Sequence, residues 1–266
     1  MTNQIVLVLG LTFLINLITT LSYSVRIVGI RTGRIAVSFA LFNILVLISR
    51  TANGFQAPLL ASTIEKNINS GIGANLLDFR LIILSCTIAS IIGGLMIPTF
   101  QRILSIAVEK FSVYKSVPKV LIYGFTKSGI TSIKENIVMP SSKNLLKIDL
   151  YKDFPWKVFI MNVVAVAIVT IGVLSSLYAG YFNPAFRTTA SSLSAIINGF
   201  ATILMFVFID PFLSVMTDDV VLGKTSESLF RKYIVYMVFA RVIGTVIAQI
   251  VLIPAARLIS MTAGFI

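Results

Sequence analysis

Six apolar segments, each long enough to cross a lipid bilayer, constrain this chain more than any other feature of its sequence. A helix needs about 20 predominantly apolar residues to cross the hydrocarbon core of a membrane. Only 12% of the residues are charged, about half the share in soluble domains, so most of the surface must face lipid. The sequence therefore predicts an all-α integral membrane protein with about six transmembrane helices. The six spans are expected at residues 4–23, 35–60, 80–100, 156–182, 193–216 and 232–254.

The composition also excludes several kinds of chemistry. The chain has no His, and Cys86 is its only cysteine, so the residues that hold most protein-bound metals are missing. Without His it also lacks the commonest general base. No glycine-rich phosphate loop and no pair of acids within the spans can be found. We therefore expect no metal, no cofactor and no catalytic residues.

The distribution of Lys and Arg predicts the orientation of the helices. Cytoplasmic loops of membrane proteins are enriched in these two residues. If the loop after the first span and the long middle loop share one side, that side holds sixteen of the 22 Lys and Arg residues and the other holds five. The sequence thus predicts both termini outside and the middle loop in the cytoplasm. The net charge of +12 reflects either this bias or recruitment of an anionic lipid, and no nucleic acid is expected.

Three regions are expected along the chain. Residues 1–105 form a first three-helix membrane half, and residues 156–266 form a second. Residues 106–155 form a cytoplasmic basic linker, in which lysines alternate with scattered apolar residues. That composition is typical of amphipathic helices at a membrane surface. We expect breaks between these helices near Pro118, Gly129 and Pro140.

Short similarities between the two halves indicate a possible internal repeat. Because each half has three spans, the second half would be inverted relative to the first, as in many alternating-access carriers. The alternative is coincidence within an apolar sequence. The matches at a common offset of 153 are Leu21 with Leu174, Arg34 with Arg187, and Pro58 with Pro211.

Polar residues inside the spans are the candidate site residues. An ionisable side chain at the centre of a membrane helix costs roughly 2.5–3.5 kcal/mol on insertion scales and is usually functional. Arg241 lies nine positions into the sixth span. It lines a path for an anionic substrate, forms an ion pair with Asp210, the one acid within a predicted span, or extends to the membrane interface. Asp210 in turn gates the protein, carries a proton, or only pairs with Arg241 or Arg231.

The second span carries a polar stripe. Its members recur at the spacing that places side chains on one face of a helix, and we expect that face to point into the bundle or a wet cavity. Arg50 is close enough to the outer end to reach the interface instead. The polar stripe consists of Asn43, Arg50, Asn53 and Ala57, with Gly54 beside it.

The sequence of the first loop and second span resembles a known family. Residues 21–34 read LSYSVRIVGIRTGR, and residues 51–58 read TANGFQAP. Together they resemble the Amj family, the alternate lipid II flippases of Gram-positive bacteria. The resemblance extends over the whole chain in length, span number and basic middle loop. It implies a transporter, not an enzyme, in the bacterial cytoplasmic membrane.

What the resemblance implies is movement of lipid II, the undecaprenyl-pyrophosphate-linked peptidoglycan precursor, from the inner to the outer leaflet by alternating access. Its partners would be lipid II and membrane lipids. Guanidinium groups suit the diphosphate because they bind phosphate oxygens bidentately. The alternatives are a membrane enzyme acting on polyprenyl phosphates and a non-transporting scaffold of a cell-wall synthesis complex. The expected substrate-binding residues are Arg241, Arg50, Arg26, Asn53, Asn16, Gln56 and Gln249, with Asp210 for gating or ion coupling.

Overall fold

The computed structural model describes residues 3–138 and 154–266, and within these ranges the chain is α-helical with no strand. Short 3₁₀ turns at Ser22–Ser24 and Pro184–Phe186 and a π-helical segment at Met205–Ile209 join some of the helices. The α-helices are α1 Asn3–Leu21, α2 Val25–Thr32, α3 Ile35–Asn69, α4 Leu76–Tyr114, α5 Val117–Phe125, α6 Lys127–Glu135, α7 Trp156–Phe182, α8 Arg187–Leu204, α9 Asp210–Val221 and α10 Glu227–Phe265.

Six helical segments in the described ranges are long and apolar enough to cross a membrane, which confirms the predicted multi-pass membrane protein. Several are longer than the sequence pattern predicts. The helices α4 and α10 each have 39 residues, or about 58 Å at 1.5 Å per residue, so both project beyond a hydrocarbon core of about 30 Å. The spans are Asn3–Thr32, Ile35–Asn69, Leu76–Tyr114, Trp156–Phe182, Pro184–Val221 and Glu227–Phe265.

The first helix of each half packs against the other two. In the first half α1 contacts α3 and α4, and in the second half α7 contacts α8 and α10. The halves meet where α4 packs on α10 and where α3 contacts α7. Glycines allow the close approaches: Gly93 lies against Thr20, and Gly244 lies against Val163 and Val166. Small residues at such crossings are typical of helices that pack in lipid.

Packed cores close both ends of the bundle. At the end of the bundle that contains α2, Phe230 and Met237 of α10 pack with Ile27 of α2. At the opposite end, Phe79 of α4 stacks edge to face on Tyr178 of α7, with ring centroids 4.9 Å apart. Each core contains residues from both halves.

The described part of the middle loop is helical, as predicted, but the break expected near Gly129 lies three residues earlier in the chain. Pro118 lies in the first turn of α5, where a proline costs no hydrogen bond, so the break falls just before it. The next break falls at Thr126, whose hydroxyl accepts a hydrogen bond from the Gly129 N–H at 3.1 Å. Gly129 is therefore inside α6, because Thr126 caps the helix before it. Pro140 lies outside the described residues.

Candidate functional site

A hydrogen-bonded network at the centre of the bundle joins three of the predicted site residues. Arg241 of α10 is only 6% exposed, and its Nη2 donates to Asn16 Oδ1 at 2.8 Å. The Asn16 amide donates to the Thr12 carbonyl at 3.0 Å and to Cys86 Sγ at 3.2 Å. Gln56 of α3 donates to the Thr12 hydroxyl at 2.8 Å. We call these five residues the Arg241 network; it connects α1, α3, α4 and α10.

Arg241 has no carboxylate partner in the described part of the chain, and its Nε has no hydrogen-bond partner there. The expected ion pair with Asp210 is wrong: Asp210 Oδ1 instead lies 3.8 Å from Arg26 Nη2. A charge buried without a counter-ion is strongly unfavourable. The guanidinium of Arg241 is thus held by a neutral amide, and its Nε–H donor is unused in the described part of the chain.

A second polar contact between the halves resembles the one between Arg241 and Asn16. Asn162 of α7 donates from Nδ2 to the Met237 carbonyl at 3.1 Å and to Met237 Sδ at 3.4 Å. Its Oδ1 accepts a hydrogen bond from the Tyr23 hydroxyl at 3.3 Å. Cys86 and Met237 each lie ten residues after the first residue of their helices. In each half, therefore, an Asn of the first helix donates to a sulfur of the third and accepts from the other half.

Sequence reasoning missed Asn162. It is 146 residues after Asn16, whereas the repeat was aligned at an offset of 153. The difference of seven residues is about two helical turns, which keeps the side chain on the same face but moves it along the helix. A search for Asn residues facing a sulfur in both halves would have found it.

Ion pairs join the two halves at the α2 end of the bundle. Arg26 of α2 lies beside Asp210 and also donates to the Ser214 hydroxyl at 3.0 Å. Arg31 lies 2.8 Å from Glu227 at the start of α10. Glu227 also lies 3.6 Å from Arg231, so Arg231 is not the partner of Asp210. These pairs connect α2 of the first half to α9 and α10 of the second.

The polar stripe of α3 does not point into the packed bundle, so the prediction that it faces the interior of the bundle is wrong. Arg50 and Asn53 are exposed on the protein surface, and a Cβ added at Gly54 would meet nothing within 4 Å. Gln56 is the polar residue of this region that faces α1.

By helical spacing the polar stripe leads through Ala57 to an open pocket of about 180 Å³, which we call the outer pocket after the side of the membrane that the Lys and Arg distribution predicts for it. Residues of three helices line this pocket: α3 on one side, α8 on the other, and α7 between them. Its residues are Ala61, Ile64 and Glu65 of α3, Leu177 and Gly180 of α7, and Arg187, Thr188, Ser191 and Ser192 of α8.

Two different exposed faces run along α8, and the sequence analysis missed the second. Large apolar side chains form one face, as expected for contact with lipid. The other face is made of small and hydroxyl-bearing residues at intervals of three and four, and it begins at the outer pocket. The apolar face is Ile196, Phe200 and Ile203, and the small polar face is Thr188, Ser192, Ala195, Gly199 and Thr202.

Gln249 lies apart from the other predicted site residues. Its amide donates to the backbone carbonyl of Arg80 at 2.9 Å, which ties α10 to the first turns of α4. The seven predicted binding residues therefore fall into four places: the Arg241 network, the ion pairs of α2, the exposed stripe and the contact of α10 with Arg80.

Comparison with known proteins finds similarity over nearly the whole chain. A family model described as "Amj: Alternate to MurJ" matches residues 11–263. The "Lipid II flippase Amj" of Bacillus subtilis (strain 168) is 36% identical over 263 residues, which are 97% of this chain and 96% of that relative. No solved structure matches the chain. The similarity therefore covers all six spans and the middle loop.

Proposed function

Because the chain belongs to the Amj (alternate to MurJ) family, we propose that it moves lipid II from the inner to the outer leaflet of the bacterial cytoplasmic membrane. On this proposal it is a transporter, not an enzyme. The observation that carries the proposal is the buried guanidinium of Arg241, which lacks a counter-ion in the described residues. A diphosphate is the doubly charged, oxygen-rich group that such a site suits.

The predicted residues take different roles in this proposal. Arg241 binds the diphosphate when the halves separate, and Arg50 meets it on the exposed face of α3 where the headgroup can leave the bundle. The amides hydrogen-bond the sugar and peptide groups, which have many donors and acceptors, while the polyprenyl tail stays in lipid. These amide residues are Asn16, Asn53, Gln56 and Gln249.

The halves act as an inverted pair. Equal lengths of α4 and α10, equivalent positions of Cys86 and Met237, and the reciprocal contacts of Asn16 and Asn162 support this arrangement. Motion of one half against the other would expose the Arg241 network to each side in turn. If the halves are equivalent, a side chain added at Gly93 should disturb packing as much as one added at Gly244.

Asp210 works as an inner gate on this proposal. Its carboxylate lies across the boundary between the halves from Arg26, so breaking this pair is part of opening the inner end. Exposed ion pairs contribute little to stability, and the Asp210 side chain is 46% exposed. The pair can therefore separate without unfolding the bundle.

Reversing the charge of Arg26 or of Asp210 alone should impair transport, and exchanging both charges should restore it. Arg26→Asp or Asp210→Arg alone places like charges across the gate and should lower the transport rate about tenfold, since like-charge contacts cost up to several kcal/mol. The double variant recovers most of the rate in a liposome assay. Equal loss in single and double variants would argue against a gating pair. Glu109→Arg, on the cytoplasmic part of α4, is the matched charge-reversal control.

We propose that both termini and the α3–α4 turn lie outside, with α5 and α6 in the cytoplasm, following the Lys and Arg distribution. In a Cys86→Ala background, Ser70→Cys should react with a membrane-impermeant maleimide on intact cells. Ser128→Cys should react only after the cells are lysed. Both positions are exposed, so labelling depends on sidedness. Reaction of Ser128→Cys from outside would reverse the orientation.

The function is tested with purified protein in liposomes that carry lipid II. Protein-containing vesicles should equilibrate lipid II between leaflets, measured by an enzyme that modifies only the exposed pool. Protein-free vesicles and vesicles with an unrelated six-helix protein are the controls. Covalent turnover of the lipid would favour the enzyme alternative. Absence of both turnover and leaflet exchange would favour the scaffold.

A further inference from the structure

The outer pocket brings together two opposite charges that form no ion pair in the described part of the chain. Glu65 lies on α3 and Arg187 on α8, and both line the pocket. Neither forms an ion pair with any residue in 3–138 or 154–266. Three hydroxyls line the same space. An unpaired anion and an unpaired cation at one pocket match a ligand that carries both charges itself. The hydroxyls belong to Thr188, Ser191 and Ser192.

Packing holds the walls of the pocket in place. Arg187 begins α8 directly over Gly180, where an added Cβ would lie 3.2 Å from the Arg187 Cβ. On the other wall, Ile64 is 5% exposed, which places Glu65 next to an anchored residue. One turn further, the Asn67 amide donates to the Tyr181 hydroxyl at 3.1 Å and ties α3 to α7. The two charges are therefore presented by fixed helix segments.

The size of the pocket limits what it can hold. At about 180 Å³ it is smaller than the roughly 300–1,000 Å³ of sites that enclose a drug-sized molecule. It can take only one end of a large headgroup. Arg50 and Ala61 lie 11 residues apart along α3, a distance of about 16 Å. About five extended peptide residues span the same distance.

We propose that the outer pocket binds the ionised peptide end of the cargo, with Arg187 on a carboxylate and Glu65 on an ammonium group. The inference rests on the proposed function and assigns the part of the headgroup that this pocket recognises. A diphosphate near Arg50 leaves the peptide within reach of the pocket along the same face of α3. The hydroxyls bind the peptide amides between the two charges.

The test compares two cargos in liposomes: a polyprenyl diphosphate disaccharide that carries the peptide, and the same lipid without it. Arg187→Gln and Glu65→Gln should each slow transport of the peptide-bearing lipid about tenfold, because each removes a charge-assisted hydrogen bond. Transport of the peptide-free lipid should not change. Arg257→Gln and Lys66→Gln are the matched controls, since both are exposed outer residues that do not line the pocket.

The outcomes separate this proposal from the function on which it rests. Equal slowing of both cargos, or no slowing of either, overturns the peptide site. Failure of the wild-type protein to move either cargo counts against lipid II transport itself. The assay is repeated in vesicles without zwitterionic phospholipid. A defect that disappears there assigns the pocket to a phospholipid headgroup and overturns the proposal. Unchanged unfolding temperatures exclude misfolding of the variants.

Discussion

Replacing Arg241 by Met should abolish lipid II transport and leave the protein at least as stable as before. Arg241 has no carboxylate partner in the described residues that its removal would leave unpaired, and removal of its buried charge relieves a desolvation penalty that offsets the lost hydrogen bond to Asn16. Transport should fall ~100-fold or more, because the loss of one member of a buried, hydrogen-bonded charge pair costs 2–5 kcal/mol or more. The transport rate in liposomes and the unfolding temperature in detergent are measured together.

Three comparisons make this prediction specific. Arg257→Met removes an exposed arginine from the same helix and should leave transport unchanged. Arg241→Lys keeps the charge but cannot bind phosphate oxygens bidentately, so partial activity is expected. A purely structural role for Arg241 would show as a lower unfolding temperature accompanying the loss of transport in the Met variant. That result would contradict its assignment to the diphosphate.

Adding one methyl group at Gly244 or Gly93 should destabilise the fold. A Cβ at Gly244 would lie 2.8 Å from the Val163 carbonyl oxygen, and one at Gly93 would lie 2.8 Å from the Thr20 Cβ. Both distances are too short for van der Waals contact, so a helix must shift. Overpacking of this kind typically costs about 1–3 kcal/mol. Gly244→Ala and Gly93→Ala should therefore each lower the unfolding temperature in detergent.

Glycines at open helical positions, one of them in α10 itself, provide controls with the opposite expected sign. A Cβ at Gly264 of α10 or at Gly10 of α1 would meet nothing within 4 Å. Gly→Ala in an open helical position stabilises by up to about 1 kcal/mol through helix propensity. If Gly244→Ala behaved like Gly264→Ala, the close packing of α7 on α10 would be wrong. Markedly unequal effects at Gly93 and Gly244 would count against two equivalent halves.

The position of each polar side chain was predicted with mixed success. The depth of Arg241 in its helix indicated a functional cation, and the structure places it in a buried network with Asn16 and Gln56. Helical spacing also put Arg50 and Asn53 on one face correctly. It could not say whether that face meets another helix, because a single helix carries no information about where its neighbours pack.

The pairing of charges was not predictable in the same way. Asp210 was expected beside Arg241 or Arg231, yet its partner is Arg26, 184 residues away in the chain. Several arginines lie at comparable depths, and the spacing within one helix cannot rank them. For the same reason the sequence did not predict the outer pocket, because its Glu65 and Arg187 come from helices in different halves.

The sequence by itself determined the membrane-spanning class, the number of spans and the family resemblance. Hydropathy and helix length are local properties, and a bilayer demands about 20 apolar residues for each crossing whatever the rest of the chain does. The tertiary structure alone decided which polar groups meet: Arg241 with Asn16, Tyr23 with Asn162, and Arg26 with Asp210. Those contacts depend on how six helices rotate and pack against one another, and in lipid that packing is set by close steric fit and hydrogen bonds between distant segments.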